Sequence, residues 1–388
     1  MKWEKVKLGD LYTVHNGLSK GKKFFGTGFP FLSFSIVFNK WFIPEQLYDL
    51  VEVDEKERNI YSIKKGDVFI TRTSETMEEL GMSTVALKDY PNATYNGFTK
   101  RLRPITELLE PRFIGYYLRT PEFRGKFMAF SAMTTRASLT NDDLLSLEVP
   151  VPPIPIQQRI ASILSAYDDL IENNQKQIKL LEEAAQRLYK EWFVDLRFPG
   201  HESVKIVDGV PEGWSRKRLD DIADLKAGGD KPEIFSKTKD NICDIPIFSN
   251  GLENEGLFGY TDKADIEQES ITISARGNVG YTCFRRTPYL AIVRLICVLP
   301  KEPNISIYLY FCLKRTNYNS NGSAQQQLTI PMIRNTVFYI PDENTLNEFS
   351  SGLKKYFDLL DTLNKQISSL REARDRLLPK LMSGEIEV

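Results

Sequence analysis

One stretch of the chain occurs twice and decides the fold. Residues 160–192 read IASILSAYDDLIENNQKQIKLLEEAAQRLYKEW, and residues 349–381 read FSSGLKKYFDLLDTLNKQISSLREARDRLLPKL. The copies align without a gap at a separation of 189 positions, so that Lys176-Gln177-Ile178 matches Lys365-Gln366-Ile367. A self-match of this length indicates a duplicated structural element.

Both copies carry apolar residues at alternating steps of four and three, the spacing of a coiled-coil seam. We predict that each copy is a helix of roughly 50 Å at 1.5 Å per residue. Because the two patterns share one phase, they favour pairing of the helices with each other, and Asn174 on the seam would fix the register. The predicted seam residues are Leu164, Tyr167, Ile171, Ile178, Leu181 and Leu188 in the first copy and Leu353, Tyr356, Leu360, Ile367, Leu370 and Leu377 in the second.

The segments before the two helices also correspond, which predicts two related globular regions. Short β-like runs, such as residues 67–71 and 270–274, are followed by helical runs, such as residues 113–119 and 307–314. The pattern indicates α+β domains in a pseudo-twofold repeat. The matching framework residues are Trp3, Leu8, Asp10 and Gly17 with, 211 positions later, Trp214, Leu219, Asp221 and Gly228.

We place the boundaries of these regions at breaks in the pattern. Residues 1–152 form the first globular domain, 153–197 the central helix, 198–342 a linker and the second domain, and 343–388 the last helix. Prolines at 152, 153 and 155 exclude a helix upstream of the first copy. Thr345 with Glu348 reads as a capping box at the start of the second.

Composition limits the function classes. A net charge of −1 gives no general attraction to nucleic acid, so a DNA-binding protein of this balance must concentrate its cations locally. The four cysteines form no Cys-x-x-Cys pair, which predicts reduced, buried thiols. No run of about 18 apolar residues and no apolar leader occur, so we expect a cytoplasmic protein without a membrane span.

At this point the chain resembles the DNA specificity subunits of Type I restriction–modification systems. The resemblance covers essentially the whole chain, and its motifs are strongly specific in combination. One departure is visible, because the family usually has Glu-Gln where this chain has Gln157-Gln158. The motifs that carry the resemblance are residues 149–161, 165–172, 188–195, 198–202, 273–280 and 377–386.

The resemblance implies two target-recognition domains, each reading one half of a bipartite site in double-stranded DNA. It implies that the two helices pair antiparallel and act as a ruler for the spacing. It further implies two modification subunits docked on the helices, with restriction subunits joining later. S-adenosylmethionine would belong to the modification subunit, so this chain would be non-catalytic and without a cofactor or metal.

Loops rich in cations and amides are the candidate DNA contacts, because Arg or Lys reads guanine and Asn or Gln reads adenine. Solvated surface lysines and Asn-Gly turns are the plain alternatives at these positions. The candidates are Lys20, Lys22, Lys23, Arg72, Thr73, Ser74, Tyr95, Asn96, Arg136 and Ser138 in the first domain and Lys226, Lys231, Asn250, Arg276, Asn278, Gln325 and Gln326 in the second.

Two other functions compete with this interpretation. A methyltransferase would need a glycine-rich cofactor loop and an Asn/Asp-Pro-Pro-aromatic motif, and a translocase would need a phosphate-binding loop; the sequence has none of these. A coiled-coil adaptor that never touches DNA would explain the helices. It would leave unexplained why two diverged domains keep cation- and amide-rich loops at equivalent places.

Overall fold

The computed structural model describes residues 3–72, 80–131, 140–318 and 327–388. The chain divides into two compact units, of which unit 1 contains Met1–Asn174 with Lys365–Val388 and unit 2 contains Gln175–Asn364. Each unit therefore combines one globular region with parts of both long helices. The predicted boundaries, which set the helices apart from the globular regions, group the residues differently.

Unit 1 is a mixed α/β unit. Its core strand, Val68–Thr71, is buried along its whole length, and the helix Glu55–Ile60 begins at a capping box formed by Asp54 and Glu57. The elements up to the end of the first long helix are, in chain order, β1 (Lys5–Lys7), α1 (Leu8–Leu11), β2 (Tyr12–Asn16), β3 (Phe25–Leu32), α2 (Phe34–Asn39), β4 (Leu50–Val51), α3 (Glu55–Ile60), β5 (Val68–Thr71), β6 (Ser83–Val85), β7 (Thr94–Tyr95), β8 (Thr99–Pro104), α4 (Pro111–Tyr117), α5 (Pro121–Ser131), α6 (Asn141–Ser146), β9 (Glu148–Pro150) and the long helix α7 (Ile154–Tyr189).

Unit 2 repeats the order of the strands of unit 1, but its described residues contain no counterparts of the helices α2 and α3. A π-helical turn at Lys190–Val194 ends α7, and the linker carries a short hairpin. The elements that follow are β10 (Ile206–Val207), β11 (Val210–Pro211), β12 (Ser215–Arg218), α8 (Leu219–Ile222), β13 (Ala223–Ala227), β14 (Ile245–Phe248), β15 (Leu257–Thr261), β16 (Ser270–Ser274), β17 (Thr282–Arg285), β18 (Leu290–Ala291), β19 (Leu295–Pro300), α9 (Ser306–Arg315), α10 (Ile330–Ile333), β20 (Val337–Ile340) and the second long helix α11 (Glu343–Ser383).

The sheets of the two units have the same topology. A four-stranded antiparallel sheet has the order β2-β8-β5-β6 in unit 1 and β13-β19-β16-β17 in unit 2. A three-stranded sheet has the order β4-β3-β7 in unit 1 and β15-β14-β18 in unit 2, with one parallel pair in each. The duplication predicted from the helices therefore extends through both globular regions.

The glycine matched between the repeats has a steric cause. A Cβ atom on Gly17 would lie 1.9 Å from the carbonyl oxygen of Asn96, and one on Gly228 would lie 2.2 Å from that of Ile292. Only glycine lets the backbone come this close. This contact joins the loop after β2 to the loop before β8 in unit 1, and the loop after β13 to the loop before β19 in unit 2.

The long helices run antiparallel in unit 1. Asp168 of α7 forms an ion pair with Arg374 of α11, and Asn174 donates a hydrogen bond to Gln366 Oε1 over 3.1 Å. The residue number thus rises along one helix as it falls along the other. Ile160 and Leu164 share one apolar core with Leu378 and Leu381.

In unit 2 the same helices pack through aromatic residues. Tyr189 contacts Phe349 with ring centroids 6.4 Å apart, and Ala185 lies in one core with Leu353 and Phe357. Of the seam residues predicted, Leu164, Ile171, Leu353, Leu360 and Ile367 are buried; Tyr167, Ile178, Leu181, Leu188, Leu370 and Leu377 are half-buried.

The seam prediction is wrong at Tyr356, whose side chain is 37% exposed, while Phe357 is 9% exposed. The reason is that the globular region also covers the helix here. Phe357 packs against Phe284, with ring centroids 5.2 Å apart, and against Tyr310, at 6.2 Å. A heptad pattern describes contacts between two helices only, and it cannot include a globular region that packs on the same helix.

The predicted cap of α11 is also corrected. Asp342 accepts hydrogen bonds from the backbone N–H and the hydroxyl of Thr345, at 3.0 and 2.7 Å. Asp342 is therefore the capping residue, and Thr345 lies inside the helix.

The four cysteines are free and buried, and burial raises the pKa of Cys297 and Cys312 to about 11.

Candidate nucleic-acid interface

Several of the predicted contact residues that the structure describes lie at one end of each four-stranded sheet, which we call the reading end. In unit 1, the pairs Asn16–Lys100 and Thr71–Thr99 mark this end. The loop after β2, the segment after β5 and the turn before β8 all lie there. In unit 2 the pairs Ala227–Ile296 and Ser274–Leu295 mark the equivalent end.

The lysine run of unit 1 divides into two environments. Lys20 forms an ion pair with Glu57 and donates to the Glu52 carbonyl, each over 2.7 Å. Its charge is therefore compensated within the unit. Lys22 and Lys23 are exposed on a 3₁₀ turn, which leaves them accessible to an anionic partner.

Arg72 follows β5 directly. Its backbone N–H donates to the Phe98 carbonyl over 3.0 Å, which fixes the start of its loop. The Nε atom of its side chain is buried and has no hydrogen-bond partner. A guanidinium in this state has a donor available for a ligand.

Tyr95 was predicted as a contact, and the structure contradicts this, because the side chain is fully buried. Its hydroxyl donates to the Asn16 carbonyl over 3.2 Å, and its ring packs on Phe69. Burial raises the pKa of Tyr95 well above its usual range. Its neighbour Asn96 accepts the Phe98 N–H over 2.7 Å, so its side chain closes a turn.

Three candidates of unit 2, Asn250, Arg276 and Asn278, lie at the turn between β16 and β17. Asn250 donates to the Arg276 carbonyl over 2.8 Å and thereby holds this turn, in which Gly277 has φ of 78°. Arg276 and Asn278 are exposed at its tip. Because Asn250 supports the turn from within, the tip presents a guanidinium and an amide on a fixed backbone.

The two remaining lysines of unit 2 are engaged with neighbours. Lys226 forms an ion pair with Asp265, and Lys231 lies 3.7 Å from the centre of the Phe235 ring. The other candidates, Thr73, Ser74, Arg136, Ser138, Gln325 and Gln326, lie outside the described residues.

The structure brings to the reading ends further residues that the sequence did not single out. Phe98 is 60% exposed at the tip of the turn before β8. Arg294 is its equivalent in unit 2. The Phe98 carbonyl accepts the backbone N–H of Arg72, which follows β5, and the Arg294 carbonyl accepts that of Ala275, which follows β16. Lys100 and Asn141 contact each other beside Arg72. A residue-by-residue alignment of the two globular regions would have identified these residues, but loops of different length prevent such an alignment from the sequence alone.

Neither a candidate metal centre nor a membrane-spanning helix is found among the residues that the structure describes. The described ranges contain no group of three His, Cys, Asp or Glu side chains that could hold a metal ion. In the same ranges, no helix has the length and apolar character that crossing a membrane requires.

Comparison with known proteins gives a consistent result. The model of the Type I restriction modification DNA specificity domain matches residues 1–183 and 211–371. The Type I restriction enzyme MjaIX specificity subunit of Methanocaldococcus jannaschii is 28% identical, over all of this chain and 94% of that protein. The HindI specificity subunit of Haemophilus influenzae is 24% identical, over 99% of each chain.

A solved structure shows the same fold. It is the S subunit of a Type I restriction-modification system from M. genitalium, with a TM-score of 0.61 and 18% identity. The match covers 98% of this chain and 96% of that one.

Proposed function

Because this chain belongs to the family of Type I restriction modification DNA specificity domains, we propose that it selects the DNA sequence on which a Type I complex acts. Each unit reads one half of a bipartite site in double-stranded DNA. The observation that supports this most directly is that the two units build the same reading end and present different side chains there.

The reading ends have the chemistry that base recognition needs. Arg276 is exposed on a turn held by Asn250, and a guanidinium can donate two hydrogen bonds to guanine O6 and N7. Lys22 and Lys23 can bind phosphates of the DNA backbone, and such contacts position a protein on DNA without reading its sequence. Unlike side chains at equivalent places predict two different half-sites.

The chain is the specificity component and not the catalyst. We place two modification subunits on the two units, one for each half of the repeat, with restriction subunits joining that complex in the cytoplasm. The modification subunit would bind S-adenosylmethionine and take the target adenine out of the helix.

The paired long helices would set the number of unspecified bases between the half-sites. Inserting one heptad at matched positions of α7 and α11 should lengthen this gap and leave both half-sites unchanged. Mapping methylated sites for the insertion variant tests this, and an altered half-site with an unaltered gap would contradict it.

The main experiment maps methylated adenines in cells with the modification subunit and either no copy of this chain, the native chain or Arg276→Ala. We expect no sequence-specific methylation without the chain, and a relaxed base in one half-site with Arg276→Ala. The control is Arg216→Ala, which removes an exposed arginine of β12, outside the four-stranded sheet. Methylation at the same sites without the chain would refute the proposed function and favour a plain adaptor.

A further inference from the structure

Three polar side chains meet at the reading end of unit 1. Lys100 on β8 is only 5% exposed, and its ammonium donates a hydrogen bond to Asn141 Oδ1. Arg72, one strand away, has a buried Nε atom without a partner. Burying a charged group is unfavourable unless a partner of opposite charge offsets it.

The local charges leave this cluster positive. Burial lowers the pKa of Lys100, the positive charge of Arg72 lowers it further, and Asp143 acts in the opposite direction. The Asp143 carboxylate is itself hydrogen-bonded to the Thr140 hydroxyl at the start of α6. Among the described residues, the two cations therefore share the influence of one carboxylate that is already engaged.

Unit 2 shows what the fold itself requires at these places. The strand registers make Ile296 the equivalent of Lys100 and Ala275 the equivalent of Arg72. Ile330, 189 positions after Asn141, is the equivalent of that residue. Ile296 is 3% exposed, Ala275 is 4% exposed, and all three belong to or pack on the apolar core. The fold thus accepts apolar residues where unit 1 has a buried lysine and a half-buried arginine.

We propose that Arg72, Lys100 and Asn141 bind a phosphate group of the DNA backbone and that unit 2 lacks this contact. The inference rests on the proposed function and names the chemistry of one contact within it. A phosphate supplies the negative charge that the two cations lack and several acceptor oxygens for their free donors. The edge of a neutral base would leave their mutual repulsion in place.

The test replaces each residue by its equivalent in unit 2, as Lys100→Ile, Arg72→Ala and Asn141→Ile. Lys100→Met serves as a second variant that keeps the length of the side chain. The control is Lys64→Ile, an exposed lysine that precedes β5 and so lies at the opposite end of the sheet. Affinity of the complex with modification subunits is measured over a range of salt, on the cognate duplex and on a duplex of unrelated sequence.

We expect Lys100→Ile to weaken binding to both duplexes by about tenfold and to reduce the slope of log affinity against log salt by about 0.9, the value for one phosphate contact. The thermal midpoint of the free protein should rise, since a buried charge is removed. A change in the recognised sequence with an unchanged salt slope would show a base contact and overturn the phosphate assignment.

A fall in the thermal midpoint with unchanged DNA affinity would show a purely structural role and also overturn the inference. Failure of the native complex to bind the cognate duplex would refute the proposed function instead, so the two failures are distinguishable. Loss of affinity in Lys64→Ile equal to that in Lys100→Ile would likewise count against a specific site.

Discussion

The two units share a topology but differ in the interactions between each globular region and the long helices. In unit 1, Gln157 of α7 is fully buried; its amide donates to the carbonyls of Leu108 and Pro152 and accepts the N–H of Glu110. The equivalent residue in unit 2, 189 positions on, is Leu346, which lies in the apolar core. The same position of the repeat thus holds a side chain with three hydrogen bonds in unit 1 and an apolar side chain in unit 2.

The same contrast recurs along the helix pair. Asp168 and Arg374 form an ion pair in unit 1, whereas their repeat equivalents, Phe357 and Ala185, lie in the apolar core of unit 2. Asn174 in unit 1 corresponds to the buried Leu363. The duplication has kept the positions at which helix and domain meet and has exchanged the interactions made there.

The largest effect should follow from truncating the aromatic contact of unit 2. Phe357→Ala removes a buried ring that packs on Phe284 and Tyr310, so we expect a loss of about 3–5 kcal/mol in the free energy of unfolding. The control, Tyr356→Ala, alters an exposed neighbour and should change stability by less than about 0.5 kcal/mol. Urea titration measures both, and equal losses would restore Tyr356 to the seam.

A smaller loss should follow from giving unit 1 the residue of unit 2. Gln157→Leu leaves one backbone N–H and two carbonyls without their partner, and a buried orphan group costs about 1–3 kcal/mol. Because Leu108 is exposed and Glu110 is half-buried, water can replace part of the lost hydrogen bonding. We therefore expect a loss of about 2–3 kcal/mol in the free energy of unfolding, measured by urea titration. The matched control is Gln158→Leu, at an exposed position. A neutral result for Gln157→Leu would mean that the two cores are interchangeable.

The smallest effect should have the opposite sign. Asn174→Leu copies Leu363 and replaces a buried amide on the seam, so we expect a gain of about 1 kcal/mol, at the expense of register specificity. Asn173→Leu, at the exposed neighbouring position, is the control. The thermal midpoint of unfolding checks this. A loss of stability would show that the hydrogen bond to Gln366 outweighs the burial of an amide.

The sequence by itself determined the duplication, the two long helices and the family. These follow from local periodicity and from motifs that remain in register, and neither depends on loop length. It also singled out Arg72 and Arg276 as candidate DNA contacts, because cations in loops beside predicted strands stand out against a chain of nearly zero net charge.

Only the tertiary structure decided which side chains face the core and which are available to a ligand. Tyr95 lies in a loop-like stretch of sequence yet is buried, and Phe357 replaces Tyr356 because a domain covers that face of the helix. In the sequence Lys100 looks like an ordinary strand residue, and only the strand registers make it the equivalent of the buried Ile296 in unit 2. Burial and pairing depend on contacts between residues distant in the chain, which local patterns do not contain.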